Sequence, residues 1–224
     1  MYTERVSIRR GPTPILLVAP HAAPGDDVNT DIITDHLAEL LNCNALVNRG
    51  WQRGVTYDYN TETADCNNVS HMVDVVEDEF LKPLIMLKGE IVRRSPVCHI
   101  FFIHGMVAQK NVDLVIGYGA GTPNSFSCTP WRKNLMYQLL ENSNLDAWIG
   151  KAGGSYSGWS KQNMNQYFRK HRYEPNVQSM QLEISRELRT DRGVSELTAE
   201  YISTAMQDYI NYDSFEKIMS PAEL

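Results

Sequence analysis

Two histidines of this 224-residue chain stand where short apolar runs end. His21 follows the apolar run 14–19 by one proline, and His104 directly follows the run 99–103. Short apolar runs bounded by proline or glycine predict buried strands. In open α/β sheets, ligands bind outside the carboxyl ends of such strands. The pattern therefore predicts that both imidazoles lie at one ligand-binding edge of a sheet.

Acidic residues accompany these histidines. Asp26 follows His21 after a Pro-Gly turn that can fold the chain back, and the adjacent Asp27 is the alternative. Glu183 lies inside a third apolar run, where an unpaired carboxylate is costly and normally has a cation, a metal or a proton beside it. Catalytic zinc sites combine three protein ligands of these types with an open position. His21, Asp26 and His104 are therefore predicted to hold zinc, with Glu183 as a general base.

Each of these residues also has a structural interpretation. A histidine after a strand can cap a helix or bond to the backbone, and a buried histidine can be held by neighbouring polar groups. Glu183 can form an ion pair with Arg186 or Arg189. The other four histidines are interpreted as structural, because they lie in predicted helices, inside a strand or among basic residues: His36, His71, His99 and His171.

The elements that must position these residues alternate along the chain. Amphipathic spacing predicts helices over 31–41 (with Thr30 as N-cap), 72–92 (interrupted near Pro83), 131–140, 161–172 and 197–210. Apolar runs predict strands over 45–47, 98–103, 113–116 and 177–184. We therefore expect a single α/β domain over 1–224, a three-layer α/β/α fold with a mixed, mostly parallel central sheet. The long polar loop 49–70 is of a kind that often carries function.

Composition disfavours several classes of protein. The chain has 21 Lys and Arg against 27 Asp and Glu, and the net charge of −6 disfavours non-specific nucleic-acid binding. No apolar stretch approaches the length of about 18 residues that a membrane span needs, and the N-terminus lacks the apolar core of a signal peptide. We therefore expect a cytoplasmic protein without nucleic-acid or membrane partners. The four cysteines show no CxxC spacing, which disfavours a zinc knuckle or a thioredoxin motif. In a reducing compartment most of them should be free thiols.

Two glycine-rich segments match known motifs incompletely. Segment 117–122 (GYGAGT) has Thr where a dinucleotide-binding motif ends in Gly, and it comes too late in the chain for a first Rossmann turn. Segment 153–158 (GGSYSG) has no serine with glycine at both −2 and +2, unlike a nucleophile elbow. A serine hydrolase is thus disfavoured, and a nucleotide-binding enzyme that uses Gly117 to Gly121 is a lesser alternative.

The order of the motifs resembles a known family. With Pro20-His21, His104-Gly105 and Gln-Leu-Glu-Ile-Ser-Arg at 181–186, the chain is similar to the N-formylglutamate amidohydrolases and the related poly-γ-glutamate hydrolases. The resemblance extends over roughly residues 14–210. It implies the zinc-carboxypeptidase-like fold, a phosphorylase/hydrolase-like α/β/α architecture.

The resemblance also implies site roles and a substrate class. In these relatives the first histidine, an acidic residue after it and the later histidine hold zinc, which maps to His21, Asp26 and His104. Their strand glutamate, here Glu183, acts on the attacking water. Arg186 is the arginine that the resemblance favours for the substrate.

Two departures from the family pattern bear on the substrate more than on hydrolysis. Ala23 stands two residues after His21, where the amidohydrolases usually have Gly. Their Asp-x-Asn-Arg segment corresponds to Asp58-Tyr59-Asn60-Thr61, which lacks the arginine.

These inferences predict a zinc-dependent hydrolase of an amide bond in an N-acyl amino acid or γ-glutamyl compound. Arg186, or else Arg53 in the long loop, would bind a carboxylate of this small anionic substrate. Manganese or iron could replace zinc, because histidine and carboxylate ligands serve all three metals. The main alternative is a catalytically inactive small-ligand-binding or regulatory domain on the same fold. The sequence leaves the oligomeric state open.

Overall fold

The computed structural model describes residues 5–57, 62–121, 126–168 and 176–219, with side chains up to residue 212. The described strands are β1 (Val6–Arg9), β2 (Ile15–Ala19), β3 (Asn44–Asn48), β4 (Thr56–Tyr57), β5 (Glu62–Thr63), β6 (Cys98–Met106), β7 (Leu114–Gly117), β8 (Ala147–Ile149) and β9 (Val177–Ser185). All of them belong to one central sheet except β4 and β5, which pair with each other.

The sheet runs in the order β1-β3-β2-β6-β9-β7-β8. The central strands β3, β2, β6 and β9 are parallel, whereas β1 pairs antiparallel with β3 and β7 pairs antiparallel with β9. The predicted mixed, mostly parallel sheet is therefore confirmed. The edge strands β1 and β8 were not predicted from the sequence. They are only four and three residues long, and polar or exposed residues separate their buried apolar residues.

Helices cover both faces of the sheet. They are α1 (Thr30–Leu40), α2 (Asp74–Val76), α3 (Lys82–Val92), α4 (Pro130–Asn142), α5 (Met164–Tyr167) and α6 (Arg192–Met219), with a π-helical segment Glu77–Leu81 and a 3₁₀ helix Arg186–Arg189. Helices α1, α4 and α6 pack on the face that contains Phe101 and Leu182. The π-helical segment, α3 and α5 pack on the face that contains Val18 and Phe102. Burial of both apolar faces gives the predicted three-layer arrangement.

Three helices differ in detail from their predictions. Asn29, and not Thr30, is the N-cap of α1, and its φ of 64° is in the left-handed region. The predicted helix 72–92 is divided into α2, the π-helical segment and α3, because Pro83 has no amide hydrogen to continue the regular ladder. In the predicted helix 161–172, α5 covers four residues, and positions 169–172 lie outside the described residues.

Two further expectations concern the cysteines and the membrane. All four cysteines are free and buried. Among the described helices, none is long and apolar enough to cross a membrane.

The pairing of β6 with β9 sets the geometry of the candidate site. Strand β6 continues to Met106, so His104 lies within the strand, where it pairs with Glu183 of β9. Paired residues of neighbouring strands direct their side chains to the same face of the sheet. Here that face is the one covered by α3 and α5, because the intervening residues Ile103 and Leu182 belong to the core of the opposite face. His104 and Glu183 are therefore side by side.

Candidate metal centre

His21, Asp27 and His104 converge at the carboxyl edge of the sheet. One ligand atom from each lies within 4.8 Å of the others, and all three residues are buried. Nδ1 of His21 and Nδ1 of His104 are each 3.4 Å from the same Asp27 oxygen, Oδ2. The two imidazole rings are 4.9 Å apart between centroids. The carboxylate of Asp27 thus faces both histidines at once.

A tight turn after β2 places Asp27 beside His21. Gly25 has a φ of 87°, which favours glycine, and the Asp27 amide donates to the carbonyl of His21 at 2.9 Å. The Thr30 hydroxyl then donates to the Asp27 carbonyl at 2.7 Å. The amide of Gly105, next to His104, donates to Oδ2 of Asp27 at 3.0 Å. These bonds fix Asp27 from the turn and from β6.

Asp26, the ligand preferred from the sequence, is directed elsewhere. Its carboxylate forms an ion pair with Arg53 at 2.5 Å and accepts the Arg53 amide at 3.3 Å. The cluster therefore contains Asp27 in the position expected for Asp26. Both residues follow the same Pro-Gly turn, and only the hydrogen bonds of the folded turn separate their directions.

The long loop supplies an acidic residue that sequence reasoning missed. Nε2 of His21 lies 2.7 Å from Oδ1 of Asp65, which also accepts the Asn67 amide at 2.8 Å. A carboxylate on the far nitrogen of a ligating histidine is a recurrent feature of metal sites, because it fixes the ring and its tautomer. The only sequence signal was the unusual length of loop 49–70. Within that loop, the Asp58–Thr61 tetrapeptide discussed above lies outside the described residues.

The charges in this cluster are strongly coupled. Burial acts to lower the pKa of His21, but the hydrogen bonds and negative charges of Asp27 and Asp65 outweigh it and raise the pKa to about 9. Burial acts to raise the pKa of Asp27, but bonds to His104 and His21 bring it well below its usual range. Burial lowers the pKa of His104. The cluster thus presents an ionised carboxylate and one neutral imidazole, and a metal that binds His21 would have to displace a proton.

The donor set fits zinc. Two imidazoles and one carboxylate form a three-ligand set of the type found in catalytic zinc sites. His104 is only 4% exposed, and its Nε2 has no hydrogen-bond partner among the described residues. A buried imidazole with an unsatisfied nitrogen is costly in a purely structural role, which favours a site that binds a ligand.

Glu183 is buried beside this cluster, with 8% of its surface exposed. Burial, and then the negative charge of Asp27, raises the pKa of its carboxyl to about 8. The amide of Gln181 donates to Oε1 of Glu183 at 2.7 Å and also to the Tyr156 carbonyl at 3.1 Å. Gln181 therefore orients the carboxylate, a role that the sequence did not suggest.

The two arginines proposed for substrate binding lie in different environments. Arg53 reaches the cluster, with Nη1 at 3.3 Å from Nδ1 of His21 and Nη2 at 3.5 Å from Oδ1 of Asp27. Arg186 is exposed on the 3₁₀ helix and makes no hydrogen bond to the cluster within the described part of the chain. The structural alternative for Glu183, an ion pair with Arg189, is not formed, because the Arg189 guanidinium donates to backbone carbonyls instead.

The glycine-rich segment 117–122 is closely packed in its described part. A Cβ atom at Gly117 would lie 2.4 Å from the Tyr156 carbonyl oxygen, and one at Gly121 would lie 2.5 Å from Trp159. These glycines allow close contact with the loop that follows β8.

The chain has an α/β fold that is shared with solved structures of an amidohydrolase and a metallo-carboxypeptidase. N-formylglutamate amidohydrolase from Ralstonia eutropha has a TM-score of 0.57 and 11% identity, over 93% of this chain and 99% of that chain. Bacteriophage poly-γ-glutamate hydrolase has a TM-score of 0.55 and 17% identity, over 93% of this chain and 91% of that chain. A metallo-carboxypeptidase from Burkholderia cenocepacia has a TM-score of 0.54 and 12% identity, over 92% of this chain and 61% of that chain.

At these identities the likeness shows a shared fold. The families that the motif order resembles are thus among the structural neighbours of the chain. No family model matches the sequence, and no curated protein matches it.

Proposed function

We propose that this protein is a zinc-dependent amidohydrolase in which His21, Asp27 and His104 hold the metal and Glu183 is the general base. The observation that carries the proposal is the convergence of two histidines and one carboxylate, within 4.8 Å, beside a buried glutamate. The fold shared with amide hydrolases supports it. Asp27 replaces Asp26 in this assignment because Asp26 is engaged by Arg53.

The chemistry follows from these positions. Zinc held by this set would polarise the scissile carbonyl and acidify the attacking water. Glu183, next to His104 in the sheet register, would accept the water proton and deliver it to the leaving amine. In the metal-free chain, burial raises the pKa of the Glu183 carboxyl to about 8. The positive charge of a bound zinc ion would lower this pKa, so that the ionised carboxylate can accept the proton. Gln181 keeps that carboxylate oriented throughout.

We further propose a small anionic substrate, an N-acyl amino acid or a γ-glutamyl compound. The net charge of −6 gives no general attraction for anions, so recognition must come from a local cation. The side chain of Arg53 is 49% exposed at the cluster, and its guanidinium can exchange Asp26 for a substrate carboxylate. Arg186, exposed three residues after Glu183, is the second candidate.

Elemental analysis of protein purified without chelator tests the metal. We expect about one zinc per chain in the wild type and in Glu183→Gln, and loss of most of it in His104→Ala. Undiminished zinc in His104→Ala would contradict the assignment of the ligands.

The same preparations can be assayed on N-acyl amino acids and γ-glutamyl peptides, each paired with its neutral amide analogue. Equal kcat/KM for the charged and neutral members would contradict the arginine contact. A wild-type chain with neither metal nor hydrolysis would contradict the proposed function and favour a metal-free ligand-binding domain.

A further inference from the structure

One buried guanidinium connects the three chain segments that carry the site. Nη1 of Arg189 donates to the Val28 carbonyl at 2.8 Å, Nη2 to the Met106 carbonyl at 3.0 Å and Nε to the Ile184 carbonyl at 3.1 Å. Val28 follows Asp27, Met106 comes two residues after His104, and Ile184 follows Glu183. The three bonds thus hold the backbone immediately after two ligands and the base.

We infer that Arg189 is a positioning residue that sets the distances among Asp27, His104 and Glu183. The catalytic consequence of this inference depends on the proposed function, whereas the structural part does not. Arg189 touches none of the reacting groups, and it acts through the three backbone segments.

Gly105 shows how closely the guanidinium fits. A Cβ atom at this position would lie 2.4 Å from Cζ of Arg189, so a side chain larger than hydrogen would displace the guanidinium. The amide of the same glycine donates to Oδ2 of Asp27 at 3.0 Å. Gly105 therefore contacts both Arg189 and the carboxylate that faces the two histidines, so a shift of the guanidinium would also move that carboxylate.

Arg189 is itself held in place. It is 7% exposed, and its carbonyl accepts the side-chain amide of Asn29 at 2.7 Å. A buried charge is costly unless hydrogen bonds compensate for its lost hydration, and here the guanidinium donates to carbonyls of three different segments. Lysine could not replace it, because only the planar guanidinium presents donors in a fixed fork.

An error of about 1 Å in the position of a catalytic group can cost about 100-fold in rate. Loss of groups that orient metal ligands typically weakens metal binding about 10- to 100-fold. We therefore expect Arg189→Met to weaken zinc binding about 10- to 100-fold and to lower kcat about 100-fold, with a much smaller change in KM. Arg189→Lys should recover little of either.

The matched control is Arg192→Met, because Arg192 is an exposed arginine three residues away that pairs with Glu196 on the surface. Zinc affinity is measured by competition with a chromophoric chelator, and the visible spectrum of the cobalt-loaded protein reports the geometry of the ligands. Urea unfolding shows how much of each variant is folded under the assay conditions.

The inference is overturned if folded Arg189→Met has the zinc affinity and the cobalt spectrum of Arg192→Met and of the wild type. If the wild type binds no metal, the proposed function fails, and hydrogen exchange of the Gly105 amide decides the inference. Arg189→Met should speed that exchange about tenfold or more relative to Arg192→Met, since the bond to Asp27 loosens. Equal exchange rates would overturn it.

A second variant covers the case in which Arg189→Met does not fold. Gly105→Ala keeps the arginine but adds a methyl group that would displace its guanidinium. It should shift the cobalt spectrum or, in metal-free protein, speed exchange of the Gly105 amide. A Gly105→Ala protein that is unchanged in both measurements would also overturn the inference.

Discussion

The two faces of strand β9 differ in chemistry although they belong to the same nine residues. Met180, Leu182 and Ile184 belong to the apolar core formed with α1, α4 and α6. Gln181 and Glu183, which alternate with them, are polar but also buried, and they face the loops that contain the candidate site. One face contributes stability by burial, whereas burial of the Glu183 carboxyl on the other face costs stability.

Strand β6 repeats this division. Phe101 and Ile103 enter the core on the α1 side, whereas Phe102 and then His104 face the other way. On that second face, His104 follows Phe102 towards the carboxyl end of the strand and lies beside Glu183. Along each strand, a residue of the apolar core is thus adjacent to a residue of the candidate site. Substitutions at such neighbours can test stability and the proposed chemistry separately.

The largest effect should come from Glu183, the proposed base. Glu183→Gln keeps the shape of the side chain but cannot accept a proton, so kcat should fall about 10²- to 10⁴-fold. Zinc content should be unchanged, because Glu183 is not one of the proposed ligands. Steady-state kinetics with elemental analysis of the same sample checks both points, and turnover at the wild-type rate would show that Glu183 is not the base.

The apolar face should respond in stability. Leu182→Ala removes a fully buried side chain one residue from Glu183 and should lower the free energy of unfolding by about 2–5 kcal/mol. In the fraction that stays folded, zinc affinity should change far less than in His104→Ala. Urea unfolding and chelator competition measure the two quantities. A Leu182→Ala protein with normal stability but no metal would contradict the division between the faces.

The two adjacent aspartates provide a third comparison. Asp27→Asn removes the charge that faces both histidines and should weaken zinc binding by more than about 100-fold. Asp26→Asn removes only the partner of Arg53, and its effect should be at least about tenfold smaller. Equal losses in the two variants would mean that the turn adopts a different arrangement when metal binds.

Much of this arrangement could be predicted from sequence. The apolar runs identified β2, β6 and β9, because strands buried on both faces are nearly continuous in apolar residues. A polar residue inside or just after such a run is conspicuous, which is why His21, His104 and Glu183 could be singled out.

Other parts of the site depend on contacts between segments distant in the chain. Asp27, and not Asp26, lies beside both histidines because its amide donates to the His21 carbonyl, its carbonyl accepts the Thr30 hydroxyl and its carboxylate accepts the Gly105 amide. Asp65 reaches His21 from 44 residues away, inside a loop without periodicity. No local pattern encodes such contacts, so they could not be predicted from spacing alone.

The smallest expected effect concerns the pH dependence of stability. The carboxyl of Glu183 has a pKa of about 8 in the folded protein, raised by burial from an ordinary value of 4.5. Between these two values the folded chain keeps a proton that the unfolded chain has released. The contribution of this retained proton to stability is therefore fully present below pH 4.5 and is lost as the pH rises towards 8.

In metal-free protein, the unfolding free energy of the wild type should fall relative to Glu183→Gln by about 1.4 kcal/mol per pH unit at most. Urea unfolding of both proteins at several pH values, with chelator present, measures this difference. A difference that does not change with pH would mean that Glu183 is already ionised in the folded protein, and the polar face would then contain a cation that balances it.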